Sequence, residues 1–329
     1  MDRIGIIGAG AWGTALATVA RRAGRKVILQ AREVEVVAAV NESHENPLFL
    51  PGVELDRGIR ATESLVEAAD ADAVLFVTPA QHLRAALEAV AGAWKPGVPA
   101  VICAKGIEQG TLALMSEVAA EALPAAVACI LSGPTFAAEV ARGLPTGVIL
   151  ATADDEIGEK LSQAIGTPTF RAYRSNDLIG AEIGGAVKNV LAVACGIAEG
   201  RKLGDNARAA LITRCLAEIL RLGTAKGGKM ETLIGLAGIG DLTLTCNAMQ
   251  SRNFSLGVAL GSGTPLTDIL AERSSIAEGV FTASSVVELS ARLGVDMPIC
   301  AATDAILNHG ADISNTIQAL LARRVTTEF

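Results

Sequence analysis

Lysine, rather than histidine, is the residue type best placed for acid–base chemistry in this chain. The three histidines, His44, His82 and His309, lie far apart and show no metal-ligand spacing, so no metal centre is expected. Lys188 sits in Gly184-Gly185-Ala186-Val187-Lys188-Asn189-Val190-Leu191-Ala192-Val193-Ala194, among small and aliphatic residues. If that helix is buried, desolvation lowers the ammonium pKa, at about 1.4 kcal/mol per unit, and moves proton exchange toward neutral pH. Lys188 is therefore the candidate general acid and base, against the plainer reading of a lysine that snorkels from a helix flank. Asp241 follows two glycines in Leu236-Ala237-Gly238-Ile239-Gly240-Asp241. It can orient Lys188 or bind a substrate hydroxyl, though an Asp after Gly is also a common turn or cap residue. Ser251-Arg252-Asn253 sets a hydroxyl, a fork-shaped guanidinium and an amide before a helical segment. That triplet reads either as a phosphate cradle or as plain helix capping.

A second constellation is Gly8-Ala9-Gly10-Ala11-Trp12-Gly13, which directly follows an apolar run and opens a helical one. In that setting Gly8 permits a tight turn, Gly10 lets backbone approach a pyrophosphate, and Gly13 lets helix and strand pack closely, so a dinucleotide site is expected. The ribose-reading position about twenty residues on reads Gln30-Ala31-Arg32-Glu33. Arg32 can take the 2′-phosphate of NADP, and Glu33 beside it leaves NADPH and NADH both open. Thr78-Pro79, Lys105-Gly106 and Ser132-Gly133-Pro134-Thr135 each follow an apolar run, where open α/β sheets bind ligands, so Lys105 is expected at the site.

The elements that must carry these residues fall into two halves. Ile4–Ile7, Lys26–Leu29, Ala73–Val77, Ala100–Cys103, Val127–Leu131 and Gly147–Leu150 read as buried strands, alternating with helical stretches such as Thr14–Ala23, Gln81–Ala93 and Thr111–Ala122. Runs apolar on both faces and separated by helices predict a doubly wound parallel sheet, a Rossmann fold. After Tyr173 the pattern turns helical, with Leu178–Ala198, Ala207–Lys226, Ala283–Leu293 and Ala301–His309 as the clearest cases. The expected organisation is a dinucleotide-binding domain over 1–175 and an all-helical substrate and catalytic domain over 176–329, facing each other across a cleft.

Composition narrows the function classes. A net charge of −7 and a pI near 5.2 give no general basic surface for nucleic acid or anionic lipid. Mean hydropathy is +0.42, yet no apolar run reaches the roughly 18 residues of a membrane span. Ile4–Ala20 imitates a signal peptide, but Gly8, Gly10 and Gly13 would break its apolar helix. Cys103, Cys129, Cys195, Cys215, Cys246 and Cys300 form no C-x-x-C pair and read as reduced, buried thiols of a cytoplasmic protein.

Taken together, these residues resemble the NAD(P)-dependent glycerol-3-phosphate dehydrogenase family in its bacterial form, over nearly the whole chain. The resemblance runs through the glycine motif and on into Thr14-Ala15-Leu16-Ala17, then Asn46-Pro47-Leu48-Phe49-Leu50-Pro51, Ala104-Lys105-Gly106-Ile107-Glu108 and Leu131-Ser132-Gly133-Pro134-Thr135-Phe136-Ala137. It continues in Glu182-Ile183-Gly184-Gly185-Ala186-Val187-Lys188-Asn189, Ala207-Arg208-Ala209-Ala210-Leu211-Ile212-Thr213-Arg214, Gly238-Ile239-Gly240-Asp241-Leu242 and Ser251-Arg252-Asn253. It implies reduction of dihydroxyacetone phosphate to sn-glycerol 3-phosphate with NADPH or NADH, for glycerophospholipid synthesis. By the same resemblance Lys188 matches the proton donor and acceptor, and Lys105, Gly133, Thr135, Asp241, Ser251, Arg252 and Asn253 match substrate contacts. Ala11, Trp12, Arg32, Lys105, Ala137, Arg252, Ile276 and Glu278 match cofactor contacts. The family pattern is left at Gln30-Ala31-Arg32, where an aromatic followed by His or Arg is usual, and at Phe254-Ser255, where another basic residue is usual. Rival readings are a β-hydroxyacid dehydrogenase of the same two-domain type and a dinucleotide-sensing protein without turnover; a homodimer is left open.

Overall fold

The computed structural model describes residues 1–272 and 277–324, so Ile276 lies outside the described residues. The apolar runs of the first half become β1 (Arg3–Ile7), β2 (Lys26–Gln30), β6 (Ala73–Phe76), β7 (Pro99–Ile102), β8 (Val127–Ser132) and β9 (Thr146–Thr152). Three shorter strands, β3 (Glu45–Asn46), β4 (Leu50–Glu54) and β5 (Ile59–Thr62), fall between β2 and β6, and β10 (Phe170–Ser175) ends this half. The main sheet has the order β10-β9-β8-β7-β6-β1-β2-β5, while β3 and β4 form a separate antiparallel hairpin. Strand order reverses direction beside β1, the switch point at which open α/β sheets receive ligands beyond the carboxyl ends of their strands.

The expectation of an all-parallel sheet needs one correction: β9 runs antiparallel to β8. Their link holds only the five-residue α6 (Ala137–Ala141), which packs against α1 (Ala11–Arg22) instead of recrossing the sheet. β10 then pairs parallel with β9. The other covering helices are α2 (Val34–Glu42), α3 (Leu65–Ala69), α4 (Leu83–Ala91), α5 (Met115–Ala122) and α7 (Asp155–Ile165). α5 starts later than the expected stretch Thr111–Ala122, because Leu112 takes a left-handed φ of 62° that no right-handed helix accommodates.

The second half is helical throughout its described residues: α8 (Leu178–Gly200), α9 (Asp205–Lys226), α10 (Met230–Leu233), α11 (Asp241–Asn247), α12 (Arg252–Gly261), α13 (Leu266–Glu272), α14 (Glu278–Arg292), α15 (Pro298–His309) and α16 (Ile313–Leu321). α8 is long and apolar enough to cross a membrane by composition, but 83% of that stretch is buried, so its all-round apolarity serves a protein core. Two Gly-x-x-x-Gly pairs cross where α8 meets α12. A Cβ on Gly196 would lie 2.1 Å from the Phe254 carbonyl oxygen, and one on Gly257 would lie 2.2 Å from that of Val193. Gly200 and Gly261 meet opposing carbonyls at 2.4 Å in the same way. Backbone thus packs on backbone, which fixes the helix carrying Lys188 against the helix that begins at Ser251-Arg252-Asn253. All six cysteines are buried free thiols.

Candidate active site

The glycine turn is built by contact as much as by flexibility. Gly8 has φ +106°, and a Cβ there would lie 2.8 Å from the Val77 carbonyl oxygen at the end of β6. A Cβ on Gly13 would come within 1.9 Å of the Gly8 carbonyl oxygen. Gly10 differs, since a Cβ there would meet nothing within 4 Å, and the space beside it is free for a ligand. No side chain caps α1 and no acid stands in its first turn, so Ala11, Trp12 and Gly13 form a helix start suited to an anion. Thr78 Oγ1 and Ser132 Oγ, at the carboxyl ends of β6 and β8, are buried with no hydrogen-bond partner. This donor set fits a dinucleotide lying across the strand ends.

Lys188 projects from the middle of α8 and is 8% exposed. Its Nζ donates to Asp241 Oδ1 and Thr245 Oγ1, both at 2.8 Å. Lys105 reaches the same carboxylate from the end of β7, with Nζ 2.6 Å from Asp241 Oδ2 and 2.9 Å from the Gly133 carbonyl. A bare glycine at 185 makes this approach possible, because a Cβ there would crowd Ser132 Oγ at 2.9 Å and Lys105 Cγ at 3.3 Å. Asp241 is delivered by a single π turn, Leu236–Gly240, which leads straight into α11. Thr245 lies one helical turn further on and donates to Asp241 Oδ1 at 3.2 Å.

Two cations on one buried carboxylate set the electrostatics. Burial lowers the Lys188 pKa, Asp241 opposes that shift, and the Lys105 charge reinforces it. Burial would raise Asp241, yet the two lysines outweigh it and hold the carboxyl below its ordinary value. The cluster therefore favours an ionised Asp241 and eases deprotonation of Lys188 relative to a free lysine.

Other expected site residues lie on the elements tied to this cluster. Asn189 Nδ2 donates to the Lys105 carbonyl at 3.1 Å, and its Oδ1 accepts from Asn253 Nδ2 at 3.0 Å. Asn253 Oδ1 in turn accepts from Gly279 N at 3.0 Å, so this amide joins α12 to α14 from a buried position. Ser251 does cap α12, accepting from Phe254 N at 3.2 Å. Arg252 beside it is exposed. Glu278 accepts from Ala80 N at 3.2 Å, and burial raises its pKa against the pull of Arg252, Lys188 and Lys105. Thr135 and Ala137 flank the start of α6, with Thr135 Oγ1 donating to the Gly133 carbonyl at 3.4 Å.

Arg32 stands apart. Its side chain is 84% exposed beyond the end of β2, and Nη2 lies 3.5 Å from Glu33 Oε1. Sequence reasoning set Thr78 and Ser132 at strand ends without giving either a role, and it assigned none to Thr245 or Asn189. The i to i+4 spacing from Asp241 was a usable signal for Thr245; the others depend on tertiary neighbours.

Comparison with known proteins is extensive. The family model for the NAD-dependent glycerol-3-phosphate dehydrogenase N-terminus matches residues 3–158, and that for the C-terminus matches 177–318. A glycerol-3-phosphate dehydrogenase [NAD(P)+] of Parvibaculum lavamentivorans is 57% identical over 326 residues, covering 99% of this chain and 98% of the relative. One from Rhodospirillum rubrum is 59% identical over 329 residues, covering 100% of this chain and 94% of the relative. The crystal structure of a glycerol-3-phosphate dehydrogenase from Coxiella burnetii superposes with a TM-score of 0.94 at 37% identity, covering 98% of this chain and 99% of that one. Motifs, fold and relatives agree: the chain belongs to the NAD-dependent glycerol-3-phosphate dehydrogenase family.

Proposed function

We propose that the chain reduces dihydroxyacetone phosphate to sn-glycerol 3-phosphate, reversibly, with NADPH or NADH, and feeds glycerophospholipid synthesis in the cytoplasm. The observation that carries the reading is the buried Lys188–Asp241–Lys105 cluster, set at the strand ends that also present the glycine turn. When bound, the dinucleotide supplies the hydride that adds to the ketone carbon. Lys188 holds the proton for the oxygen that gains charge as this happens, and takes a hydroxyl proton in the opposite direction. Asp241 and Thr245 aim the Lys188 ammonium, and Lys105, on the same carboxylate, would add positive charge to the region where the oxygen gains charge.

Arg252 at the start of α12 is the candidate anchor for the substrate phosphate, together with the backbone end capped by Ser251. Asn253 serves that anchor by holding α12 to α8 and α14. Fixing the phosphate at one end places the carbonyl at the distance hydride transfer requires. Trp12, Ala11, Ala137 and Glu278 would border a bound dinucleotide, and Arg32 next to Glu33 would suit either ribose, since the acid tempers the attraction of a 2′-phosphate. The division of labour follows the sheet region, 1–175, for the dinucleotide and the helical region, 176–329, for substrate and proton transfer.

The test is to follow oxidation of NADPH and of NADH separately with dihydroxyacetone phosphate and with unphosphorylated dihydroxyacetone. The phosphorylated ketone should react with kcat/KM at least about 100-fold higher. Turnover of β-ketoacids, with none of dihydroxyacetone phosphate, would overturn the reading in favour of a β-hydroxyacid dehydrogenase.

A further inference from the structure

We propose that Asn46, on the β3–β4 hairpin, is a positioning residue for the cofactor: it aims the glycine turn at the pyrophosphate without touching it. Asn46 is 0% exposed, and both hydrogens of its amide are used on the turn. Nδ2 donates to the Ala9 carbonyl and to Thr14 Oγ1, each at 2.8 Å. The Thr14 hydroxyl donates to the same carbonyl at 3.2 Å, which closes a three-membered ring of hydrogen bonds. Asn46 Oδ1 accepts from Phe49 N at 3.1 Å, so the amide is itself held by its own hairpin.

Direction is what this ring controls. In a trans peptide the C=O and the following N–H point opposite ways. Pinning the Ala9 carbonyl inward toward Asn46 therefore turns the Gly10 N–H outward, to the side where a Cβ on Gly10 would meet nothing within 4 Å. Left unpinned, this peptide can rotate in the one stretch of the sheet region where glycines remove most steric restraint. The hairpin is secured for the task by Leu50, Val53 and Leu55, which are buried in the same core as α1.

The proposal rests on the reading that the turn receives the pyrophosphate, and the variants separate the two. Asn46→Asp keeps size and the Phe49 contact but can no longer donate to the Ala9 carbonyl. NADPH is titrated by its fluorescence, with ADP-ribose and adenosine as competitors. The Kd for NADPH and for ADP-ribose should rise at least tenfold, adenosine binding should hold within twofold, and kcat at saturating cofactor should hold within about twofold. Thr14→Val should weaken NADPH in the same way, and Thr14→Ser should restore it. If Asn46→Asp does not fold, the Thr14 pair decides the matter. Unchanged NADPH and ADP-ribose affinity in these variants, with Gly10→Asp abolishing binding, overturns the role of Asn46 while the turn reading stands. Wild-type affinity in Gly10→Asp overturns the turn reading itself.

Discussion

Removing either partner of the central carboxylate cluster should move the pH profile of the reaction, and the two removals should move it in opposite directions. On the proposed mechanism ketone reduction needs Lys188 protonated, so kcat should fall as pH rises through the Lys188 pKa. Oxidation of glycerol 3-phosphate needs the free amine, so its kcat rises through the same pKa. Burial places that pKa below the ordinary 10.5, with Asp241 opposing the shift and Lys105 adding to it. Asp241 Oδ1 is 2.8 Å from Lys188 Nζ, and an opposite charge at such range raises an ammonium pKa. Asp241→Asn should therefore carry the basic limb of reduction to lower pH. Lys105→Met removes a like charge and leaves Asp241 to Lys188 alone, so the limb should move to higher pH. The assay is kcat against pH in both directions at saturating substrates, which avoids the titration of the free substrate phosphate. A limb that stays fixed in Asp241→Asn, or that moves up, refutes the assignment of Lys188 as the titrating group.

Three further outcomes follow from particular contacts. Glu182 on α8 is buried and accepts from Ser116 N at 2.7 Å and Ser116 Oγ at 2.6 Å, and burial pushes its carboxyl up to about 7 from 4.5. Because the folded chain holds this proton more tightly than the unfolded chain, the stability it contributes is full below about 4.5 and is lost as pH rises to about 7, a change of about 3 kcal/mol. Calorimetry at pH 5 and pH 8 should show that loss in the wild type and not in Glu182→Gln; equal losses would exclude Glu182 as its source. Gly257→Ala drives a Cβ to 2.2 Å from the Val193 carbonyl, so it should cost at least about 1–3 kcal/mol in denaturant melts, whereas unchanged stability would mean that α8 and α12 do not pack this closely. Arg252→Ala should raise KM for dihydroxyacetone phosphate by about 10- to 100-fold, the loss of one charged contact of about 1.5–3 kcal/mol, and an unchanged KM would remove Arg252 from the phosphate site.

The centre of the fold was legible in the sequence and its margins were not. β1, β6, β7 and β8 are covered on both faces and read as continuous apolar runs. The edge strands β5 and β10 carry Arg60, Arg171 and Arg174, charges that protect a sheet edge and erase the apolar signal. The reversal of β9 was hidden because side-chain composition does not encode strand direction. α16 has no fully buried residue; only Ile313 and Ile317 pack, partly buried, against the helical core, so its pattern carried a weak core signal.

In the site, Lys188 stood out because a charge in an aliphatic helix needs a reason, and the glycine turn because its spacing is a steric requirement. Lys105 and Asp241 were each legible as candidates, but their meeting on one carboxylate joins residues 136 positions apart and belongs to the tertiary structure. The same holds for Asn253, whose amide reads as a phosphate ligand in the sequence and as a helix-to-helix tie in the fold. Ser251-Arg252-Asn253 was open between cradle and cap, and Ser251 Oγ is a cap.

The most direct test of proton transfer by Lys188 is single-turnover reduction of dihydroxyacetone phosphate by Lys188→Ala preloaded with NADPH. The rate should fall by about 10²- to 10⁴-fold, the usual worth of a positioned general acid, while the Kd for NADPH stays within about twofold of wild type. A single-turnover rate close to wild type would contradict Lys188 as the proton donor.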